Sequence, residues 1–156
     1  MRIGFSKDIH RLEEGITLML GGVNIPSLVG PVAHSDGDVI LHAISEAILG
    51  ALAKGDLGTH FPDTIRKTKG MSSTVIVEGV MKIMEQSQYF VNNVDVFVSL
   101  EEPKIGHLAE IIQANVAYLL KIKQNQVSIK FGTNEGLGSV GEGKAIVAYA
   151  VVLLEN

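Results

Sequence analysis

The apolar residues of this chain recur in two spacings, alternating in some segments and returning every three or four residues in others. Alternation is typical of β-strands, and it predicts strands at residues 2–12, 16–20, 94–100, 127–132 and 144–154. The last of these is apolar at nearly every position. That pattern predicts burial on both faces or in a subunit interface.

Helical spacing first occurs where apolar residues recur over residues 39–51. Ser35 or Asp36, just before this run, is the expected N-cap, because a short polar side chain there accepts a backbone N–H of the first turn. The sequence therefore predicts a first helix that starts directly after a polar, glycine-containing segment.

Two further helices follow a loop that we expect over residues 54–71, where glycines and a proline interrupt every periodicity. The second helix starts after Ser72 or Ser73 and ends near Gln86, and the third covers residues 106–121. Strands and helices thus alternate along the chain. The predicted fold class is α/β (α+β), with a mixed β-sheet and three main helices packed on it.

Composition agrees with one globular domain, residues 1–156, because 46% of the residues are apolar and 19% are charged. The net charge of −4 and the lack of a Lys/Arg cluster argue against nucleic acid as the main partner. The chain has no cysteine, which excludes disulfides and thiolate metal sites. We expect no signal peptide and no membrane span, because no apolar run approaches the ~20 residues needed.

The most informative residues are Asp8, His10 and His42. Residues two apart on a strand point to the same face, so Asp8 and His10 lie side by side. With His42 from the first helix they form an open three-ligand set of the kind that serves catalysis. The plainer interpretation is a salt-bridged aspartate with two ordinary histidines. Zinc fits the set, and so does the iron of the 2-His-1-carboxylate oxygenases.

Two polar segments are candidate phosphate sites. Residues 34–38 (HSDGD) precede the first helix, and the N–H groups of a helix start attract anions, although such a segment also caps any helix. Residues 132–136 (GTNEG) follow a strand. There, backbone N–H groups and the Thr133 hydroxyl suit phosphate oxygens, and Glu135 suits a hard cation. A plain tight turn is an equally good interpretation of that segment.

Taken together, these motifs resemble one family, the 2-C-methyl-D-erythritol 2,4-cyclodiphosphate synthases of the non-mevalonate (methylerythritol phosphate) route to isoprenoids. The matching segments run in order along the whole chain, and they include GFSKDIHRL at 4–12, HSDGD at 34–38 with His42, GDLG at 55–58, HFPDT at 60–64, Pro103-Lys104 and Lys130-x-x-Thr133-x-Glu135.

The resemblance implies that Asp8, His10 and His42 hold a first divalent ion, usually zinc, and that Glu135 holds a second, Mg²⁺ or Mn²⁺. His34 and Thr133 are implied as catalytic residues that orient and stabilise the reacting phosphates. The substrate-binding residues implied are Asp8, Ile9, His10, His34, Ser35, Asp56, Leu57, Gly58, Phe61, Pro62, Asp63, Thr64, Ile65, Leu100, Glu101, Glu102, Pro103, Lys104, Ile105, Gly106, Gly132, Thr133, Asn134 and Glu135.

The resemblance further implies a lyase that forms 2-C-methyl-D-erythritol 2,4-cyclodiphosphate from its cytidine diphosphate precursor and releases CMP. A homotrimer with active sites between subunits is implied as well, in a bacterial cytoplasm or, once a transit peptide is removed, in a plastid stroma. Two alternatives remain open from the sequence. One is a non-haem iron oxygenase, and the other is a non-catalytic trimeric protein that binds a metal or nucleotide.

Overall fold

The computed structural model describes residues 1–62 and 70–156. The strands in these two ranges are β1 (Arg2–Glu14), β2 (Leu18–Leu20), β3 (Val23–Ile25), β4 (Val29–Pro31), β5 (Phe90–Ser99), β6 (Val127–Gly132) and β7 (Ala145–Glu155). The helices are α1 (Val39–Leu52), α2 (Leu57–His60), α3 (Ser73–Gln86), α4 (Ala109–Leu120) and α5 (Gly138–Gly141), with 3-10 turns at Gly106–Leu108 and Gln124–Gln126.

Five of the strands form one sheet in the order β4-β1-β7-β5-β6, and β2 pairs with β3 as a separate hairpin. Every pair in the large sheet is antiparallel except β5 with β6, which is parallel. The predicted mixed sheet and α/β class are therefore confirmed. The three long helices α1, α3 and α4 match the three that apolar spacing predicts.

Several element boundaries differ from the prediction. β5 begins at Phe90, four residues early, because a bulge between Val91 and Asn93 breaks the alternation that would have revealed it. The predicted loop over 54–71 contains the short helix α2. The third helix opens as a 3-10 turn, and its α-helical part starts only at Ala109.

Helix α1 lies on the inner face of the sheet, against β1 and β7. Gly4 allows the close approach, because a Cβ on Gly4 would lie 1.8 Å from the backbone oxygen of Ala47. Eleven of the fourteen α1 residues are buried, so this helix is the centre of the core. The contact fixes the start of α1 beside the middle of β1, where the predicted metal ligands lie.

The opposite face of the sheet carries apolar side chains that the single chain leaves exposed. We call it the outer sheet face and define it by Ile3, Phe5, Phe97, Tyr149 and Val151, which are 36–71% exposed. The rings of Phe5 and Tyr149 stack with centroids 6.4 Å apart. In one chain, the first half of the closing strand β7 is thus buried on both faces, whereas its second half is buried only on the inner face. No helix among the described residues is long and apolar enough to cross a membrane.

Candidate metal centre

The three predicted metal ligands meet between β1 and the first turn of α1. Asp8 and His10 face α1 from β1, and His42 reaches back from the helix. His10 Nε2 lies 3.1 Å from Asp8 Oδ2, and His42 Nδ1 lies 3.2 Å from the same oxygen. The fold therefore brings together three residues that the sequence separates by up to 34 positions.

The donor set fits a divalent ion. One ligand atom from each residue lies within 4.8 Å of the others. His10 Nε2 is buried and has no hydrogen-bond partner among the described residues, although it lies 3.1 Å from Asp8 Oδ2. A buried imidazole nitrogen without a hydrogen bond is uncommon, and a metal is the partner that such a nitrogen takes in an Asp/His/His set.

Charge in this cluster favours ion binding. Burial opposes ionisation of Asp8, but the neighbouring His10 and His42 imidazoles outweigh burial and hold the pKa of Asp8 well below its usual value. Burial likewise opposes the charged form of His42, yet Asp8 and, less strongly, Asp38 and Asp36 raise the pKa of His42 above 6.5. The cluster is an anionic carboxylate with two imidazoles, which is a site that attracts a cation.

A chain of hydrogen bonds fixes the orientation of the His42 ring. His42 Nε2 lies 2.9 Å from Ser73 Oγ and 3.1 Å from Ser35 Oγ. Ser73 Oγ donates its proton to Asp36, so it accepts from the His42 Nε2–H. That leaves Nδ1, on the Asp8 side, as the unprotonated nitrogen for a metal. Sequence reasoning gave Ser73 only a capping role, and no spacing rule links it to His42.

The N-cap of α1 is Asp38, so the prediction of Ser35 or Asp36 was wrong. Asp38 is fully buried and accepts the backbone N–H groups of Ile40 and Leu41 at 3.1 Å each. Its carboxylate also accepts N–H groups from the β2–β3 turn, at Gly21 and Gly22. Burial raises the pKa of Asp38. Asp38 therefore ties the start of α1, and with it His42, to the neighbouring hairpin.

A cavity of about 240 Å³ opens beside the metal ligands. Its polar side is formed by the predicted residues His34 and Ser35 with His10 and His42. The apolar side consists of Ala33, Leu57, Gly58, Phe61, Met71 and Ile76. Six of the predicted substrate-binding residues thus line this cavity beside the candidate metal ligands: His10, His34, Ser35, Leu57, Gly58 and Phe61. Asp63, Thr64 and Ile65 lie outside the described residues.

Neighbouring predicted residues take structural positions around this cavity. Asp56 caps α2, accepting the backbone N–H of Thr59 at 2.8 Å. Glu46, one turn after His42, accepts the backbone N–H of Leu57 at 2.8 Å and so holds the start of α2. Ile9 lies between the two β1 ligands but points to the outer sheet face, with 49% of its side chain exposed.

The second predicted group lies after β5 and β6. Glu101 accepts the backbone N–H groups of Asn134 at 2.7 Å and Gly136 at 3.4 Å. Within the turn, Thr133 donates its hydroxyl to Glu135 at 2.9 Å. The Glu101 carboxylate therefore holds two of the N–H groups that the sequence suggested for phosphate, and Thr133 and Glu135 remain the candidate ligands there.

The remaining predicted residues of this group form the bend after β5. Lys104 donates to the backbone oxygen of Glu101 at 2.8 Å and lies 3.6 Å from Glu102. Leu100 and Ile105 are buried, Pro103 lies in the bend, and Gly106 begins the 3-10 turn that follows. This group thus places one exposed cation, Lys104, and two exposed carboxylates, Glu102 and Glu135, near the strand ends.

The two groups lie far apart in one chain. Asp8 pairs with Ala148 of β7, Ala148 pairs with Val98 of β5, and Val98 pairs with Phe131 of β6. Three strand spacings separate the ends of this row, which is about 14 Å. None of the residues at 100–106 or 132–135 lines the cavity beside the metal ligands, within the part of the chain that the structure describes.

Known proteins resemble the chain over its full length. The sequence model of the YgbB family matches residues 1–155. A 2-C-methyl-D-erythritol 2,4-cyclodiphosphate synthase of Alkaliphilus metalliredigens is 47% identical over 152 residues, covering 97% of this chain and 96% of that protein. The synthase of Chlorobaculum tepidum is 47% identical over 156 residues, covering 100% and 99%.

Solved structures of enzymes with the same or a similar name also resemble this chain. A 2C-methyl-D-erythritol-2,4-cyclodiphosphate synthase in a CDP-bound form superposes with a TM-score of 0.92 at 38% identity, covering 99% of this chain and 100% of that one. IspF of Plasmodium falciparum, solved as a CDP complex, gives 0.85 at 39% identity, covering 98% and 94%. The chain therefore belongs to the YgbB family, alongside the enzymes named 2-C-methyl-D-erythritol 2,4-cyclodiphosphate synthase, as its motifs predicted.

Proposed function

We propose that the protein converts 4-diphosphocytidyl-2-C-methyl-D-erythritol 2-phosphate to 2-C-methyl-D-erythritol 2,4-cyclodiphosphate and CMP. The observation that carries the proposal is the open cluster of Asp8, His10 and His42 beside a cavity, in a chain whose relatives bear the name of this product. The CDP bound in two similar structures supports a cytidine nucleotide as the ligand.

The proposed reaction is an intramolecular phosphoryl transfer. An oxygen of the substrate's 2-phosphate forms a bond to the β-phosphorus, and the bond from that phosphorus to the oxygen of the CMP group breaks. The nucleophile is already an anion at neutral pH, so no strong general base is needed. Holding both ends of one substrate together is worth up to ~7–11 kcal/mol relative to a two-molecule reaction.

Asp8, His10 and His42 would hold the first divalent ion, for which we propose zinc, with a position left open for substrate. When bound, this ion supplies Lewis-acid polarisation of a phosphate oxygen. The low pKa of Asp8 keeps the carboxylate charged for that task across neutral pH. Ser73 keeps the His42 ring in the ligating orientation through its contact with Nε2.

His34 and Thr133 are the proposed catalytic residues. His34 lines the cavity next to the ligands, where its ring can orient a phosphate group. Glu135 would hold a second ion, Mg²⁺ or Mn²⁺, because its exposed carboxylate follows Thr133 on the same turn. Residues 100–106 and 132–135 together form the proposed pocket for cytidine and diphosphate.

We also propose a homotrimer with each active site between two subunits. The separation of about 14 Å between β1, at Asp8, and β6 supports this arrangement, because the two groups of one chain are three strand spacings apart in its sheet. The exposed outer sheet face supports it too, because an apolar face of aromatic and aliphatic side chains usually marks an interface. In the trimer, one subunit contributes the metal cluster and its neighbour the 133–136 turn.

The decisive experiment measures CMP release from the cytidyl substrate, before and after a chelator and again after zinc is restored. We expect release that stops with the chelator and returns with the metal. A chain that binds zinc and CDP but releases no CMP would be the non-catalytic binding protein instead. Iron content together with turnover of 2-oxoglutarate would favour an oxygenase and contradict the proposal.

A further inference from the structure

The ring of Phe61 occupies space on α3 that only a glycine leaves open. A Cβ built on Gly79 would lie 2.6 Å from Phe61 Cζ and 3.0 Å from Cε1. Ordinary carbon contacts are at 3.5–4.0 Å, so any residue larger than glycine forces the ring to move by about 1 Å. Gly79 lies in the middle of a 14-residue helix, where glycine is a poor helix former.

The other glycine inside a long helix has no such neighbour. Gly50 lies in the last turn of α1 on an exposed face, and a Cβ there would meet nothing within 4 Å. An alanine at Gly50 therefore tests helix propensity alone. The contrast isolates the contact with Phe61 as the special property of Gly79.

Phe61 is connected to the candidate active site on its other side. Its ring lines the cavity together with Ile76, which lies one turn before Gly79 on α3. The backbone N–H of Phe61 donates to the oxygen of Leu57 at 2.7 Å, and Leu57 is itself held by Glu46. The position of the ring on α3 thus sets how far the apolar wall stands from the metal ligands.

We propose that Gly79 is a positioning residue, and that the notch it leaves on α3 seats Phe61 so that the cavity beside His34 and His42 admits the methylated carbon skeleton of the substrate. This inference rests on the proposed function. A side chain at position 79 would push the ring off α3 and into the cavity. Binding of the erythritol end would weaken, while the metal ligands, which lie on β1 and α1, would keep their geometry.

The test compares Gly79→Ala with Gly50→Ala. We expect Gly79→Ala to raise KM for CMP release about 10-fold, the effect of a small misfit in an apolar pocket, and to change kcat by about twofold at most. Zinc content and inhibition by CDP should stay at wild-type values, because neither depends on the wall formed by Phe61. Gly50→Ala should leave KM unchanged and raise Tm by about 2 °C.

A second pair of variants tests the contact itself. Phe61→Leu removes the ring atoms that approach Gly79, so adding Gly79→Ala to it should change KM by no more than about twofold. The same cycle is measured by thermal unfolding. Gly79→Ala should raise Tm more in the Phe61→Leu background than in the wild type, because helix propensity then acts without the steric conflict.

The outcomes separate this inference from the proposed function. An active wild type whose KM is unchanged by Gly79→Ala overturns the inference and leaves the proposed function standing. Additive effects of Gly79→Ala and Phe61→Leu on KM and Tm overturn it as well. A wild-type chain that releases no CMP overturns the proposed function itself, and with it the substrate role of the notch. This holds whatever Tm values the double-mutant cycle gives.

Discussion

The metal-ligand cluster and the 133–136 turn are proposed to act on the same phosphates, yet they differ in burial and in the contacts that hold them. Asp8 and His10 project from β1 and His42 from the buried helix α1, and the three side chains are only 14–25% exposed. In the 133–136 turn, Asn134, Glu135 and Gly136 are exposed, and the side-chain contacts of Glu135 stay within the turn.

This difference indicates which half of the site is preorganised. Packing and hydrogen bonds hold the metal-ligand cluster in place before any ligand arrives, so its variants should change metal binding. The 133–136 turn keeps Glu135 in solvent, with its backbone at a φ of 51°. Its variants should act only when substrate, a second cation and a neighbouring subunit are present.

The largest effect is expected from Asp8→Asn. Loss of the carboxylate removes the one charged metal ligand, so zinc content and CMP release should fall together. The rate of CMP release should fall about 10³-fold, which corresponds to about 4 kcal/mol of activation free energy. Metal analysis and steady-state kinetics measure the two. Glu85→Gln is the control, because the ion pair of Glu85 with Lys121 is exposed and lies on α3 and α4, away from the cluster. Wild-type zinc content and activity in Asp8→Asn would contradict the assigned cluster.

Glu135→Gln should separate the two regions. We expect CMP release to fall about 10²-fold, because a charge-stabilising contact to the phosphates is lost. Titration with Mg²⁺ or Mn²⁺ should then require higher concentrations, while zinc content stays at the wild-type value. A loss of zinc in this variant would show that the two regions are not independent.

Ser73→Ala should weaken zinc binding without removing a ligand. The His42 Nε2–H loses the nearer of its two hydroxyl partners, Ser73 Oγ at 2.9 Å, and keeps Ser35 Oγ at 3.1 Å. The ring orientation is then less well fixed, and affinity should fall about 10–100-fold. Competition with a chelating dye measures the affinity directly. Ser72→Ala is the matched control, because Ser72 caps the same helix through the backbone N–H of Thr74, whereas the hydroxyls beside His42 Nε2 are those of Ser73 and Ser35. Equal zinc affinity in both variants would argue against the hydrogen-bonded chain.

The smallest effect is a pH dependence of the metal-free chain. Because the folded pKa of His42 is raised above 6.5, its interaction with Asp8 stabilises the fold fully below that pH and is lost as pH rises through the raised value. Tm of the metal-free protein should therefore decline as pH rises above 6.5. In Asp8→Asn the decline should shrink. An identical pH profile in both proteins would contradict the coupling.

The contribution of Asp8 to stability depends on pH in the opposite direction. Its folded pKa is lowered, so its contribution is present above the unfolded value of 3.8 and is lost only as pH falls through the lower folded value. The two groups together predict that the metal-free cluster stabilises the fold most between pH 3.8 and pH 6.5. Metal binding itself should strengthen with rising pH, because the imidazoles must be unprotonated to ligate.

Local sequence patterns were enough to predict the three candidate metal ligands, because the periodicity of a strand and of a helix places them. The spacing of Asp8 and His10 puts both on one strand face, and His42 follows a helix start that apolar spacing reveals. The same local rules failed at the cap of α1. Asp38, and not Ser35 or Asp36, is the N-cap. Its carboxylate also accepts the N–H groups of the turn at residues 21–22, a contact that sequence spacing does not show.

The sequence by itself determined the fold class, the three long helices, the family and the three candidate ligands, since each depends on residue type and short-range spacing. Tertiary structure alone decided that Ser73 orients His42, that Glu101 holds the 133–136 turn, and that Phe61 rests in the notch at Gly79. These contacts join residues 18 to 35 positions apart. They exist only because strand order and the close packing of α1 and α3 bring those positions together.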